Sequence, residues 1–320
     1  MNKKYFHYHL LIIIVMISCS KIQKVEDFPK HDSKLVSNCI FSDSAAFQMS
    51  FSRSLSPLDN AAFRSLSNPN AYALIFKDGI LFDSLYYDPN YKTNPNNGYA
   101  QPYRNPFFPN PTPGSFYELR TYYPGYPTLT ASEYLPMPGS ADIKDVQTIV
   151  ESSFEFSDQF SKKYSISFSK NITLTLKDEG NGKDFYYLEF TNIFDSFTAN
   201  AEKYGYISSI ESRDIYNDIT VLNNGENIIF VTENADAQTF KTINLTLKGI
   251  GVFREPKPLL HYKLIIKRCG KNAFNYLRST SIARLNENDP FAEPTPTWNN
   301  IKNGFGVFGG YSYNSQIFIF

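Results

Sequence analysis

Apolar and polar residues alternate with period two in the clearest stretches of this chain. Phe47-Gln48-Met49-Ser50-Phe51-Ser52 does so strictly, which sets Phe47, Met49 and Phe51 on one face of a strand. Residues 35–41 form an extended apolar run ahead of it. Residues 71–76 and 80–87 flank Lys77-Asp78-Gly79, and Asp-Gly between apolar runs predicts a hairpin. Residues 116–123 predict a further strand, and Pro124-Gly125-Tyr126-Pro127 turns the chain into another at 128–134. Short strands at this spacing predict a small immunoglobulin-like β-sandwich over 34–138. Pro136-Met137-Pro138-Gly139 then breaks the pattern and sets a domain boundary.

The second half continues in the same period. Residues 163–177, 185–190, 227–232, 240–252 and 259–267 predict a second β unit over 139–320, and 316–320 close it with an apolar strand. Residues 272–282 are the exception, because Phe274, Leu277 and Ile282 keep a helical face. The expected fold class is mainly all-β: two β-sandwich-like units with one short C-terminal helix. With 28 Phe and 23 Tyr but one Trp, the composition agrees with strands.

The first residues do not belong to this pattern. Lys3 and Lys4 precede an unbroken apolar run from Leu10 to Ile17, and Ser18-Cys19 closes it. The run is too short to span a bilayer and has the form of a lipoprotein signal peptide, with cleavage before Cys19 and acylation of its thiol and amine. Multiple acyl chains make such attachment stable, since each buried CH₂ contributes ~0.8 kcal/mol. Residues 20–33 are polar and aperiodic, as a flexible tether would be. The expected location is the outer membrane, lipid-anchored, on either face. Loss of residues 1–18 leaves 29 basic against 31 acidic residues with no basic run, which argues against nucleic acid as partner.

Candidate chemistry is sparse. Gly304-Phe305-Gly306-Val307-Phe308-Gly309 satisfies the dinucleotide pattern, but too little chain follows it for a helix and an acid about 20 residues on. No cofactor is expected. His31 and His261 are the only histidines after residue 18, there is no nucleophile elbow, and no cysteine pair has zinc spacing, so neither a catalytic set nor a metal site is expected. Residues 178–184 gather oxygen ligands without the spacing of an EF-hand. Residues 88–114 hold seven prolines and six asparagines among Tyr91, Tyr99, Tyr103, Phe107 and Phe108. A loop of this length is a candidate ligand surface, for example for a glycan, or a cover for the sandwich edge. Cys39 and Cys269 are candidates for a disulfide or for two separate buried thiols. Asp43-Ser44-Ala45 and Asp83-Ser84-Leu85 resemble the acceptor triplet of a bacterial O-glycosylation system, at Ser44 and Ser84.

Asp289-Pro290-Phe291-Ala292-Glu293-Pro294, followed by Asn299-Asn300-Ile301-Lys302-Asn303-Gly304 and the glycine-rich run to Tyr311, resembles the closing signature of the envelope lipoproteins called domain of unknown function 4249. Asn38-Cys39, Phe76-Lys77-Asp78-Gly79, Pro124-Gly125-Tyr126-Pro127 and Phe274-Asn275-Tyr276-Leu277-Arg278-Ser279 are similar to the family's earlier motifs. The resemblance implies a non-enzymatic accessory or binding module for an envelope partner such as a large outer-membrane transporter. It supplies no catalytic residues, and the pattern over 34–138 resembles the regulatory-type β-sandwiches carried by such transporters, which are accessory modules. The alternative reading is a surface glycan-binding lipoprotein that uses the loop aromatics.

Overall fold

The computed structural model describes residues 32–56, 66–91, 102–157, 162–177, 184–192, 204–212, 219–223, 227–232, 241–253, 261–287, 293 and 295–319. Cys19 and His31, Tyr99, and residues 178–183 of the oxygen-rich run lie outside them. The first unit contains β1 (Leu35–Ser42), β2 (Gln48–Arg53), β3 (Tyr72–Lys77), β4 (Ile80–Tyr87), β5 (Tyr103–Arg104), β6 (Ser115–Tyr122) and β7 (Leu129–Leu135). The second contains β8 (Ser140–Ser157), β9 (Lys162–Lys177), β10 (Phe185–Asn192), β11 (Tyr204–Ser212), β12 (Ile219–Asn223), β13 (Asn227–Thr232), β14 (Lys241–Phe253) and β15 (His261–Cys269). Helix α1 (Lys271–Asn286) and β16 (Phe305–Ile319) follow.

The strands form a long sheet in the order β12-β13-β10-β15-β16-β1-β2-β5-β4-β3-β6-β7 and a smaller one in the order β11-β14-β9-β8. The alternation read from the sequence is the burial pattern. In β6, Ser115, Tyr117, Leu119 and Thr121 are buried while Phe116, Arg120 and Tyr122 face outward. The first core gathers Phe41, Phe47, Phe51 and Tyr117 with Phe308 from the far end of the chain. Phe41 lies 4.7 Å from Phe47 and 4.9 Å from Phe308, ring centre to ring centre.

In the second unit, β10, β13 and β15 of the long sheet pack against the small sheet. Ile172, Leu174 and Leu176 of β9 meet Leu188 of β10 and Leu264 and Ile266 of β15. Outward positions of β9 and β14 pair polar groups instead, as in Thr173 to Asn244 at 3.0 Å and Thr246 to Asn171 at 2.8 Å. The opposite face of β10 and β13 is covered by α1, whose Ala273 and Phe274 are buried against Tyr187, Ile228 and Phe230. That helix has the apolar face expected of it at Phe274 and extends to Asn286.

Two β-sandwich-like units with one C-terminal helix are therefore present, and residues 136–139 lie between β7 and β8. The closing segment does not keep to that division. The first half of β16 pairs in parallel with β1, Val36 opposite Phe305 through Ser42 opposite Tyr311. Its second half pairs antiparallel with β15, Cys269 opposite Tyr311 through His261 opposite Ile319. Ile301 and Phe308 belong to the first core, so the unit that begins at residue 139 gives part of its end to the other. The junction is held by three further bonds: Ser312 Oγ to the Pro136 carbonyl, Asn314 Nδ2 to the Gly139 carbonyl at 2.9 Å, and the Tyr313 N–H to Asp43 Oδ1 at 2.9 Å.

Gly306 makes this splice possible. Its φ is +116°, and a Cβ there would lie 2.0 Å from the Ser37 carbonyl oxygen. Gly306→Ala thus demands both a strained backbone and a displaced β1. The variant is expected to lose ~2 kcal/mol or more, read as a fall in the urea midpoint of the purified protein.

Candidate functional site

The described loop aromatics do not form one surface. Tyr103 sits in β5, a short strand the sequence did not reveal, and is fully buried, with its ring 4.7 Å from Phe51. Its hydroxyl accepts from the Asn68 N–H at 2.9 Å, and burial pushes its pKa up to about 12. It is a core residue, because β5 inserts between β2 and β4 and aims it inward. Tyr91 lies under the Arg104 guanidinium at 4.7 Å, and Arg104 is itself held by Asp88 at 2.7 Å. That partner holds the Asp88 carboxyl below its ordinary range. Phe108 meets Phe82 edge-on at 5.9 Å, so it covers the sandwich. Phe107 alone of those described stands free, 95% exposed.

Exposed aromatics that sequence reasoning missed lie on the outer face of β4-β3-β6-β7. Tyr72 is 5.4 Å from Tyr122 and 6.3 Å from Tyr86, across three adjacent strands. Toward the other end of β6, Phe116 pairs with Tyr134 of β7. Between these groups the Arg120 guanidinium lies over the Phe76 ring at 4.4 Å. The available signal was the alternation itself, which puts Phe116, Tyr122 and Tyr134 at outward positions where a polar residue is usual.

Beside this face is a groove of about 560 Å³. Phe116, Arg120, Thr130 and Ser132 line one side, and Asn272 and Lys302 line the other. Its second wall is fixed to the edge of β7 through three carbonyls. Asn303 Nδ2 donates to the Thr128 carbonyl at 3.0 Å, the Lys302 N–H to that of Thr130 at 2.9 Å, and Asn272 Nδ2 to that of Ser132 at 3.1 Å. Asn300 binds both backbone groups of Phe308, at 2.8 and 2.9 Å. The asparagines of the closing signature thus lock the end of the chain onto the first unit. The glycine run that mimics a dinucleotide loop is strand from Phe305 onward, within β16.

Glu133 is 4% exposed, and its Oε2 accepts the N–H groups of Asn272 and Ala273 at 2.9 and 3.0 Å. The helix has no side-chain cap of its own, since Gly270 occupies the N-cap, so a carboxyl from β7 serves instead. A side chain at 270 would collide with it, as a Cβ there would lie 2.5 Å from the Glu133 carboxyl carbon. Burial pushes the Glu133 pKa up to about 7, against the pull of backbone N–H groups. Asp83 is also buried and raised by burial, and its Oδ1 accepts from Ser84 N–H and Asn105 Nδ2. Among the described residues no group of three or more His, Cys, Asp or Glu is placed to hold a metal ion. No described helix is long and apolar enough to cross a membrane.

Cys39 and Cys269 are free thiols, not a disulfide. They lie on β1 and β15, which flank β16 on opposite sides, and they join different clusters, so a whole strand separates them. Burial pushes Cys269 up to about 12 and Cys39 higher still. The two acceptor serines differ in setting. Ser44 is exposed in the β1–β2 turn, whereas Ser84 is half-buried within β4, opposite Leu74. His261 is the first residue of β15, paired with Ile319.

Two outcomes are expected. Neither Cys39 nor Cys269 should react with iodoacetamide in the folded protein, and both should alkylate in denaturant without reductant, as counted by intact mass. Between about 4.5 and about 7 the folded state holds the Glu133 proton that the unfolded chain releases. That group's contribution is therefore fully present at low pH and lost as pH rises through 7. Relative to Glu133→Gln, the wild type should lose up to about 3 kcal/mol across this window, read from paired urea titrations at pH 4.5 and 7.5.

Similarity to solved structures is remote. The full-length major pilin SpaD of Corynebacterium diphtheriae is 7% identical, with 91% of this chain and 68% of that one covered and a TM-score of 0.20. The collagen adhesin CNA of S. aureus is 6% identical, covering 90% and 94% at a TM-score of 0.17. The collagen binding domain of the Erysipelothrix rhusiopathiae surface protein RspB is 7% identical, covering 88% and 96% at 0.16. TM-scores this low leave the ligands of those proteins without bearing on this one. No curated protein matches the chain. The sequence profile described as domain of unknown function (DUF4249) matches residues 23–317, in agreement with the motifs at both ends, and the chain belongs to that family.

Proposed function

We propose that this protein is a non-enzymatic binding module of the bacterial cell envelope, anchored in the outer membrane through lipid on Cys19, that docks on an envelope protein such as a large outer-membrane transporter. The observation that carries this reading is an apolar end of the first unit. Ile80 is 75% exposed and Phe107 95%, and Leu81 and Met137 are also exposed. The strand register puts the β3–β4 turn and the β6–β7 ends together: Lys77 is opposite both Ile80 and Tyr117, and Ser115 is opposite Leu135. Apolar side chains gathered at one end of a domain are a feature of protein contacts.

The direction of this end favours a partner over the anchoring bilayer. β4 runs from Ile80 to Tyr87, Tyr87 is level with Tyr103, and Tyr103 with Met49. β2 then runs on from Met49 to Arg53, which is opposite Leu35, where the tether joins. The tether therefore enters at the end of the sandwich away from Ile80.

A photo-crosslinking residue in place of Phe107 or Ile80 tests the reading in cells. Lipidated protein is expected to give one discrete adduct with an outer-membrane protein, identified by mass spectrometry. Cys19→Ala should lose a fatty-acid label and the adduct together. No adduct at either position, or label retained by Cys19→Ala, would sink the proposal.

A further inference from the structure

The groove between the β6–β7 face and the closing segment is a binding site of a different character from the apolar end. Its lining mixes polar and apolar groups and carries two cations. Arg120 and Lys302 bring two positive charges, against the single carboxylate of Glu118, which already faces Arg120 at 3.5 Å. The Arg120 guanidinium is steadied over Phe76, and the backbone of Lys302 is tied to Thr130. Arg120 is thus supported by a ring outside the groove, and Lys302 is fixed through its backbone. Thr130 and Ser132 point outward from β7, on either side of buried Ala131, and offer hydroxyls along the floor. Phe116 supplies an exposed ring at one end.

We infer that this groove binds an anionic saccharide. The axial C–H groups of a pyranose suit the Phe116 ring, sugar hydroxyls suit Thr130 and Ser132, and a carboxylate or sulfate suits the space between Arg120 and Lys302. An apolar ligand would leave the hydroxyls and Lys302 unmatched. A neutral sugar would leave the Lys302 charge, and the net positive charge of the Arg120–Glu118–Lys302 group, unmatched. The walls are preformed, because Asn272, Asn300 and Lys302 are all held by bonds within the protein, so little ordering opposes binding. The inference is independent of the docking partner proposed above, since it concerns a different surface and a different class of ligand.

The protein carries its own reporter. Trp298 is the only tryptophan, and its Nε1 donates to Asn272 Oδ1 at 3.2 Å, in the groove wall. Detergent-solubilised full-length protein is titrated with oligogalacturonate, with a sulfated oligosaccharide and with a neutral glucan oligomer, reading Trp298 emission and heat of binding. At least one of the two anionic sugars is expected to bind tenfold or more tightly than the neutral one, and the arm that binds identifies the anion. Arg120→Ala and Lys302→Ala, both side chains at the surface, should each weaken that binding about tenfold while leaving the urea midpoint unchanged. The inference is overturned if neither anionic sugar binds, if the neutral glucan binds equally well, or if both variants bind like the wild type. It is also overturned if oligoglutamate binds as tightly through the same two residues, because the site would then recognise an acidic peptide.

Discussion

The architecture depends on one strand with two partners. Up to Tyr311, β16 is a parallel neighbour of β1, and from Tyr311 onward it is an antiparallel neighbour of β15. The two sandwiches are therefore sections of a continuous sheet, and neither has the long-range closure it needs without the last residues of the chain. Pairing the first strand with the last carries a large loop-closure cost, which must be offset by burial. Phe308 supplies part of that, wedged among the rings of Phe41 and Phe47 in the first core.

A second constraint is the open edge of β7. A strand at a sheet edge presents unpaired carbonyls that invite other strands, and here three successive ones are occupied by the closing segment and the start of the helix. Asn272 does two things at once, since its backbone N–H is bound by Glu133 and its side chain caps Ser132. The Glu133 carboxyl reverses the usual economy of a helix start, in which the cap comes from the adjacent residue. The cap instead comes from the other unit, and it can be reached only because Gly270 leaves room. Docking of the helix and sealing of the β7 edge are in this way one event.

The family signature gains a physical meaning from this. Asn299, Asn300 and Asn303 spend their amides on backbone groups, Asn299 within the turn and the others on Phe308 and Thr128. Residues used so fully in holding the fold are not free for a ligand. In the proposed reading, recognition falls to the groove that the lock walls and to the outer sheet face and apolar end beside it. That reading would set the groove and the outer face on strands, where ordering costs are already met.

The period-two pattern by itself determined the β class, the strands that alternate cleanly, the hairpin at Asp78-Gly79 and the break at residues 136–139. These follow from local rules, since an alternating strand needs one buried face whatever it packs against. Strands β5, β8, β11 and β12 were not legible. β5 is two residues inside a proline-rich run, and Tyr103 reads like the other loop aromatics until its neighbours are known. The groove was equally hidden, because its walls come from β6, β7, the helix start and residues near 302, which sequence distance does not bring together. The separation of Cys39 from Cys269 was decided by β16 running between their strands. That is a question of order across a sheet, and strand order depends on the pairing of distant segments, which no local alternation encodes.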